Sequence, residues 1–243
     1  MPARWQNRPV VPWLSGTDPF PPLEGALAEP NGLLAAGATL EPGRLLDAYR
    51  RGIFPWSSEG RPLLWWSPDP RMVLHVEEFR MSRSLRKRAR AGTFDVRIDT
   101  ACAAVIEACA EPRADQDGTW ITADIRAAYV ELHRRGHVHS VESWRDGRLV
   151  GGLYGLAMGR VFFGESMFAR EADASKVALA HLVAHLARQG VPLIDCQQET
   201  AHLASLGARA IPRAQFAVRL RELIHSDAPP AGWQPGPSGS IDP

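Results

Sequence analysis

From residue 72 onward the alternation of apolar and polar positions spells out a regular order of elements. MVLHVEEF (72–79) reads as a strand, residues 80–92 are basic with helical spacing, and FDVRID (94–99) alternates as a second strand. An Ala-rich helix is predicted over 100–110, and another over Ile121–Gly136, with Ile125, Ala128, Tyr129 and Leu132 as its apolar face. HVHSVESWR (137–145) and GRLVGGLYGLAMG (147–159) are strands divided at Asp146-Gly147, a hairpin signal, and RVFFGESMF (160–168) adds a third antiparallel strand. SKVALAHLVAHLARQ (175–189) is a helix that Ser175 can cap, Gly190 ends and Pro192 keeps from continuing. VPLIDCQ (191–197) is read as the last strand and residues 213–225 as the last helix.

Upstream the pattern is weaker. Residues 1–24 are Pro-rich, carry Trp5 and Trp13, and have no usable periodicity. A short helix follows Pro42, with Leu45, Leu46, Ala48 and Tyr49 as apolar positions and Gly52 as its stop. Ile53–Phe54–Pro55–Trp56 makes a rigid aromatic turn, and after LLWW (63–66) the two prolines of SPDPR (67–71) forbid regular structure. The expected division is a small N-terminal domain over 1–71, a larger domain over 72–226, and a Pro/Gly/Ser tail over 227–243 that should be disordered. Strand, helices, a run of antiparallel strands, a long helix and a further strand give a mixed α/β (α+β) fold with a largely antiparallel sheet.

Composition narrows the class without naming a function. The 243 residues are 45% hydrophobic and 23% charged, as in an ordinary globular protein. A net charge of +1 excludes a uniformly basic coat but leaves room for a local basic patch. Three cysteines without framework spacing fit a reducing compartment. The N-terminus lacks a continuous apolar stretch, and no run approaches the ~18 apolar residues of a membrane span, so a cytoplasmic monomer without membrane contact is expected.

Candidate chemistry gathers late in the chain. His181 and His185 share a helix face, but the residues between them are Leu-Val-Ala, without the glutamate of a metalloprotease motif. His137 and His139 share a strand face with no third ligand, so no metal site is expected from either pair. In LIDCQ, alternation puts Asp195 and Gln197 on one face and Cys196 on the other, where a cysteine is more often buried and inert. The residues alone leave two readings of Asp195 and Gln197 open: a hydrogen-bonded pair that ends the strand, or two groups offered at the sheet's rim. Glu165, between Phe162, Phe163, Met167 and Phe168, needs either a specific partner or an escape to solvent. A cationic or amine ligand and a buried salt bridge are both open for it. Arg80, Arg83, Arg86, Lys87, Arg88 and Arg90 fall in one short segment without acids, a patch suited to a phosphate backbone. Trp56 and Trp120 could stack on a base.

Together these pieces resemble one family closely, the bacterial leucyl/phenylalanyl-tRNA–protein transferases. The resemblance is carried, in order, by EGALAEPNGLLAAGATL, YRRGIFPW, LLWWSPDPR, SRSLRKR, GTWIT, GHVHSVESW, GGLYG, FFGESMF, ASKVAL, LIDCQ and HLASLGA, across roughly residues 20–215. It implies a small N-terminal domain followed by an acetyltransferase-like (GNAT) catalytic domain. It also implies transfer of Leu or Phe, and less readily Met, from aminoacyl-tRNA to the α-amino group of proteins beginning with Arg or Lys, marking them for N-end rule degradation. By the same resemblance Asp195, Gln197 and Glu165 are catalytic, and Trp56 and Trp120 meet the tRNA 3′-adenosine. Leu153, Phe162, Met167, Leu182, Leu186 and Ile194 form the amino-acid pocket, and the segment from Arg80 to Arg90 meets the tRNA backbone.

An aminoacyl ester is already activated, so its aminolysis needs positioning more than a covalent enzyme intermediate, and no metal or organic cofactor is required. The reading that follows has Asp195 polarising Gln197, whose amide oxygen orients the attacking amine, while Glu165 holds the amine or the acceptor's cationic end. Two rivals share parts of the pattern. An acetyl-CoA-dependent N-acetyltransferase would place a Gly-rich loop before its central helix, where this chain has MFAREADASK without a glycine. A non-catalytic RNA-binding module would account for the basic patch and the tryptophans but not for Glu165, Asp195 and Gln197.

Overall fold

A computed structural model of the chain describes residues 11–112, 119–226 and 228–241. The start of the Pro-rich N-terminal stretch and most of the polar loop at 111–118 lie outside those residues. The N-terminal part builds β1 (Trp13–Leu14), β2 (Leu33–Gly37), α1 (Pro42–Arg50), β3 (Phe54–Pro55) and β4 (Leu64–Trp66), with the strands in a four-stranded sheet ordered β1-β2-β4-β3. Pro42 sits at the first position of α1, where its missing N–H costs nothing. Gly52 ends the helix with φ at 78°, a conformation favouring glycine, so the chain reverses and carries Phe54–Trp56 back along β4.

The rest forms β5 (Arg71–His75), α2 (Arg83–Arg90), β6 (Asp95–Ile98), α3 (Cys102–Ala110), α4 (Ala123–Arg134), β7 (Val138–Arg145), β8 (Arg148–Met158) and β9 (Val161–Ala169). After these come α5 (Ala174–Arg188), β10 (Leu193–Gln197), α6 (Ala201–Ser205), β11 (Arg209–Ile211), α7 (Arg213–Leu223) and β12 (Gly236–Pro237). The eight-stranded sheet runs β11-β5-β10-β9-β8-β7-β6-β12, and every neighbouring pair is antiparallel except β10 with β9. This is the mixed α/β, largely antiparallel architecture that the order of elements predicts. Asp146 and Gly147 both have positive φ, which joins β7 to β8 in the tight hairpin that the sequence signals.

Each face of the large sheet has its own core. The first face packs Tyr154, Val161, Phe163 and Leu193 against α3, α4, α7 and the N-terminal sheet. The second packs Leu153, Phe162 and Ile194 against α5 and α2. The N-terminal sheet therefore buries its Trp65 and Leu34 in the same cluster as the larger sheet's first face.

Three expectations change. The long helix begins at Ala174 after Asp173, whose φ is 65°, and has no side-chain cap, so Ser175 lies inside it. Close packing sets this start: a methyl group on Gly151 of β8 would fall 2.5 Å from the Ala174 Cβ. VPLIDCQ is not the last strand, because α6 and β11 follow it and β11 pairs with β5. Residues with Arg209 and Ala210 exposed give no alternation to read.

The tail expected to be disordered is instead docked across the described residues 228–241. β12 adds to the edge of β6, and Trp233 lies flat on His139 at 4.0 Å and tilted against His185 at 4.5 Å. Ser238 Oγ and His181 Nδ1 are hydrogen-bonded at 2.7 Å, and Arg188 donates to the carbonyls of Ser238 and Ser240. Composition predicted a chain too polar to fold alone, but one indole and a ready-made edge supply the burial. Trp233→Ala should cost about 1–3 kcal/mol in urea unfolding; an unchanged midpoint would show that the tail adds nothing to the folded state.

Candidate active site

The parallel strands β9 and β10 run in register from Leu193↔Val161 to Asp195↔Phe163 and then lose it. Two irregularities cause the separation. In β9 the partners of Tyr154 and Gly155 are Ser166 and Gly164, so Glu165 is an extra residue with no opposite number in β8. In β10 Asp195 faces Val73 and Gln197 faces Met72, leaving Cys196 as the extra residue against β5. Such bulges re-aim side chains. Ahead of the β9 bulge Val161 and Phe163 face the first core, and beyond it Phe168 does, while Met167 turns to the second. An unbroken period of two would have put Met167 on the first face with Glu165. Gly155 permits the kink, since a Cβ there would lie 2.3 Å from the Phe163 carbonyl oxygen.

Asp195 follows Leu193 onto the first face and is completely buried. Arg71 meets it as a two-pronged partner: Nε donates to Oδ1 at 2.8 Å and Nη2 to Oδ2 at 2.6 Å. The third arm, Nη1, donates to the Gly52 carbonyl at 3.1 Å, and the guanidinium lies 4.8 Å from the ring centres of Phe54 and Phe216. Oδ1 of Asp195 also accepts the backbone N–H of Gln197 at 2.9 Å. That bond pins a residue whose φ is 61°, uncommon outside glycine. The expected polarisation of the Gln197 amide by Asp195 is therefore corrected. The carboxylate grips the Gln197 backbone, and the side-chain Nε2 donates instead to Glu165 Oε1 at 2.9 Å.

Glu165 has no cationic partner among the described residues and lies almost wholly buried at the wall of the cleft. Tyr49 donates to its Oε1 at 2.7 Å and Tyr129 to its Oε2 at 2.9 Å, and the two tyrosine hydroxyls also touch each other. Burial pushes its carboxyl up to about 7, against the tyrosine and Gln197 bonds that pull it down. The buried salt bridge left open for Glu165 belongs to Asp195.

Two connected cavities open here. A cleft of about 420 Å³ is bordered by Trp56, Trp120, Glu165, Met167, Gln197 and His202. Trp56 is 39% exposed and stands edge-on to Trp66 at 5.5 Å. From the cleft, past Glu165 and Gln197, a narrower apolar pocket of about 150 Å³ runs under the sheet. Leu153, Phe162, Met167, Leu182 and Ile194 line it, joined by Leu74, Leu179 and Leu203. Leu186 does not reach it: one turn beyond Leu182 on α5, it borders a separate cavity beside Trp233. Cys196 turns to the second core, and burial pushes its thiol well above the ordinary range, so it is no nucleophile at rest.

The basic segment is split in its behaviour. Arg83, Arg86 and Lys87 of α2 are exposed and have no ion-pair partner among the described residues. Arg88 is drawn onto Asp173 at 3.4 Å and the Ala172 carbonyl at 2.9 Å. Arg80 and Arg90 are exposed at either end of the segment. Three site residues went unnoticed in the sequence. Tyr49 and Tyr129 sit on apolar helix faces, where spacing marks only their rings, and Arg71 directly follows a Pro-rich break.

The comparisons with known proteins meet this geometry. The model of the leucyl/phenylalanyl-tRNA protein transferase family matches residues 73–221, and that of its N-terminal domain matches residues 38–69. The chain belongs to this family and is an aminoacyltransferase. It is 60% identical to the leucyl/phenylalanyl-tRNA–protein transferase of Aromatoleum aromaticum over 92% of this chain and 94% of that one. It is 58% identical to that of Azoarcus sp., over 96% and 99% of the two chains. Likeness to solved structures is distant: L-PGS from Bacillus licheniformis aligns over 69% of this chain and 54% of that one at 10% identity and a TM-score of 0.39, too low to carry an argument.

Two measurements check this site. Arg71→Met should lower stability by about 3–5 kcal/mol by leaving a buried carboxylate without its cation, and Asp195→Asn on top should recover most of that loss. Additive losses in the double variant would show that the two groups are not coupled. For Glu165 the sign follows from a value raised on folding to about 7. Below the ordinary carboxyl value both folded and unfolded chains hold the proton. As pH rises toward about 7 only the folded chain does, so stability falls by roughly 3 kcal/mol and then levels off. Glu165→Gln should lack that fall in urea titrations across the window; identical slopes would show that Glu165 ionises as it does in water.

Proposed function

We propose that the enzyme moves leucine or phenylalanine, and methionine less readily, from aminoacyl-tRNA to the α-amino group of proteins beginning with Arg or Lys, marking them for N-end rule degradation. The observation that carries this reading is the apolar pocket of about 150 Å³ opening beside Gln197 and Glu165 into the cleft bordered by Trp56 and Trp120. A dry apolar cavity of roughly that size holds a benzene ring, so one aliphatic or aromatic side chain fills it. Discrimination between such side chains is worth only ~1–3 kcal/mol per methylene, which suits a site taking more than one amino acid.

In this reading the terminal adenosine stacks at Trp56 and Trp120, the aminoacyl side chain enters the pocket, and the ester carbonyl lies beside Gln197. Residues 72–226 form the catalytic domain and residues 1–71 the N-terminal domain, which contributes Trp56. The exposed Arg83, Arg86 and Lys87, with Arg80 and Arg90 at the ends, offer their charge to the tRNA backbone, whereas Arg88 also ties α2 to the loop before α5. Among the described residues no helix is long and apolar enough to cross a membrane.

The acceptor α-amino group has a pKa near ~8, so roughly a tenth is free amine at neutral pH. Gln197 Oε1 accepts no hydrogen bond from the described residues, and it orients that amine. An amide oxygen is a poor base, so its contribution is positioning. Arg71 and Asp195 hold the backbone beneath it.

Incubation with radiolabelled Phe-tRNA or acetyl-CoA and an Arg-initiated acceptor peptide tests the reading. Label should pass from Phe-tRNA and not from acetyl-CoA. Passage only from acetyl-CoA, or from neither donor while tRNA still binds, would replace it with an acetyltransferase or an RNA-binding module.

A further inference from the structure

We infer that Tyr49 and Tyr129 are positioning residues for the transfer step: with Glu165 they form a closed hydrogen-bonded unit that takes up the acceptor amine's proton and hands it to the leaving ribose oxygen. The inference rests on the aminoacyl-transfer reading and adds a proton path to it. Three oxygen–oxygen contacts make up the unit: Tyr49 with Glu165 Oε1, Tyr129 with Glu165 Oε2, and Tyr49 with Tyr129. The two tyrosines bring two protons. With Glu165 ionised both protons point at the carboxylate, and the contact between the hydroxyl oxygens has none. A third proton, the carboxyl's own, satisfies all three contacts at once. The unit is thus built to hold one proton more or one fewer, with the ionised form kept within reach by the Gln197 Nε2 donor at 2.9 Å.

That capacity is what aminolysis of an ester demands. The amine nitrogen forms a bond to the aminoacyl carbonyl carbon, and the carbon–oxygen bond to the ribose breaks. The nitrogen sheds one proton to the Glu165 carboxylate, and the departing oxygen receives one from the resulting carboxyl. Proton count and charge return to their starting values, and no co-reactant is needed. Glu165 borders both the cleft and the amino-acid pocket, so it stands where the two substrates meet.

The other titratable groups around the unit do not serve. Asp195 on β10 is neutralised by Arg71 of β5. Burial pushes Cys196 on β10 and Tyr154 on β8 upward, away from ionisation near neutral pH. Cys109 and Glu111, at the end of α3, and His202 on α6 border the cleft but make no hydrogen bond to Glu165.

The test uses the full chain and two independent readouts. First, the infrared stretch of the protonated carboxyl, absent in Glu165→Gln, is followed against pH in the wild type, Tyr49→Phe and Tyr129→Phe. Loss of one donor to the carboxylate should move its disappearance upward by about one pH unit or more. Second, kcat for Phe transfer is measured at saturating acceptor. Each Tyr→Phe variant should lose roughly tenfold near neutral pH and regain most of it above pH ~8, while Glu165→Gln stays low throughout. A loss of the same size at every pH, or an unmoved carboxyl band, would overturn the unit and leave the tyrosines as packing. The infrared arm needs no substrate, so absence of transfer by the wild type would refute the aminoacyl-transfer reading and not the hydrogen-bonded unit.

Discussion

The buried pair between Arg71 and Asp195 is the constraint on which the rest of the site is arranged. A charge removed from water is tolerated only when its donors and acceptors are met, and here each arm of the guanidinium has its own oxygen. Those oxygens belong to the turn after α1 and to β10, and the aromatic walls come from β3 and α7. A single side chain therefore joins the N-terminal sheet, two strands of the main sheet and the last long helix. Asp195 is also what holds the left-handed backbone of Gln197, so the amide that faces the cleft inherits its position from a fully buried ion pair.

The buried carboxyl of Glu165 and the apolar pocket are separated by the faces of one sheet. Glu165 is aimed into the first core, where Tyr49 and Tyr129 wait, and Met167, only two residues on, lines the pocket under the second. The bulge at Glu165 makes this possible by shifting the period of the strand. The matching bulge at Cys196 leaves Gln197 beside Glu165 and the thiol in the opposite core. Two inserted residues on adjacent parallel strands thus part the sheet where the two cavities lie, without a break in either hydrophobic core.

The helix α5 shows how packing overrides a local signal. Ser175 has the chemistry of a cap, yet the helix starts one residue earlier because Ala174 fits against the bare backbone of Gly151. Its histidines find partners in the tail: His181 bonds Ser238 and His185 packs on Trp233. Their spacing of four looks like half a metal site in the sequence, but in the fold it is a ladder for a segment with little hydrophobicity of its own.

Much of the architecture was legible because periodicity is a local property. The strands from Val138 to Ala169, the hairpin at Asp146-Gly147 and the helix faces of Ile125 and Leu132 needed only the chain's own alternation. Alternation also put Asp195 and Gln197 on one face with Cys196 on the other, and the ordered motifs pointed to the family. The partners of those residues were hidden because hydrogen bonds across 116 or 124 positions of sequence leave no periodic trace. Tyr49 and Tyr129 read as ordinary core rings, Arg71 as the end of a proline-rich break, and the tail as too polar to fold. The amino-acid sequence by itself determined the elements, their order and the residues carrying reactive groups, since these follow from side-chain type and spacing. Tertiary structure alone decided what each group is bonded to, because burial and pairing are settled only when distant segments share one core.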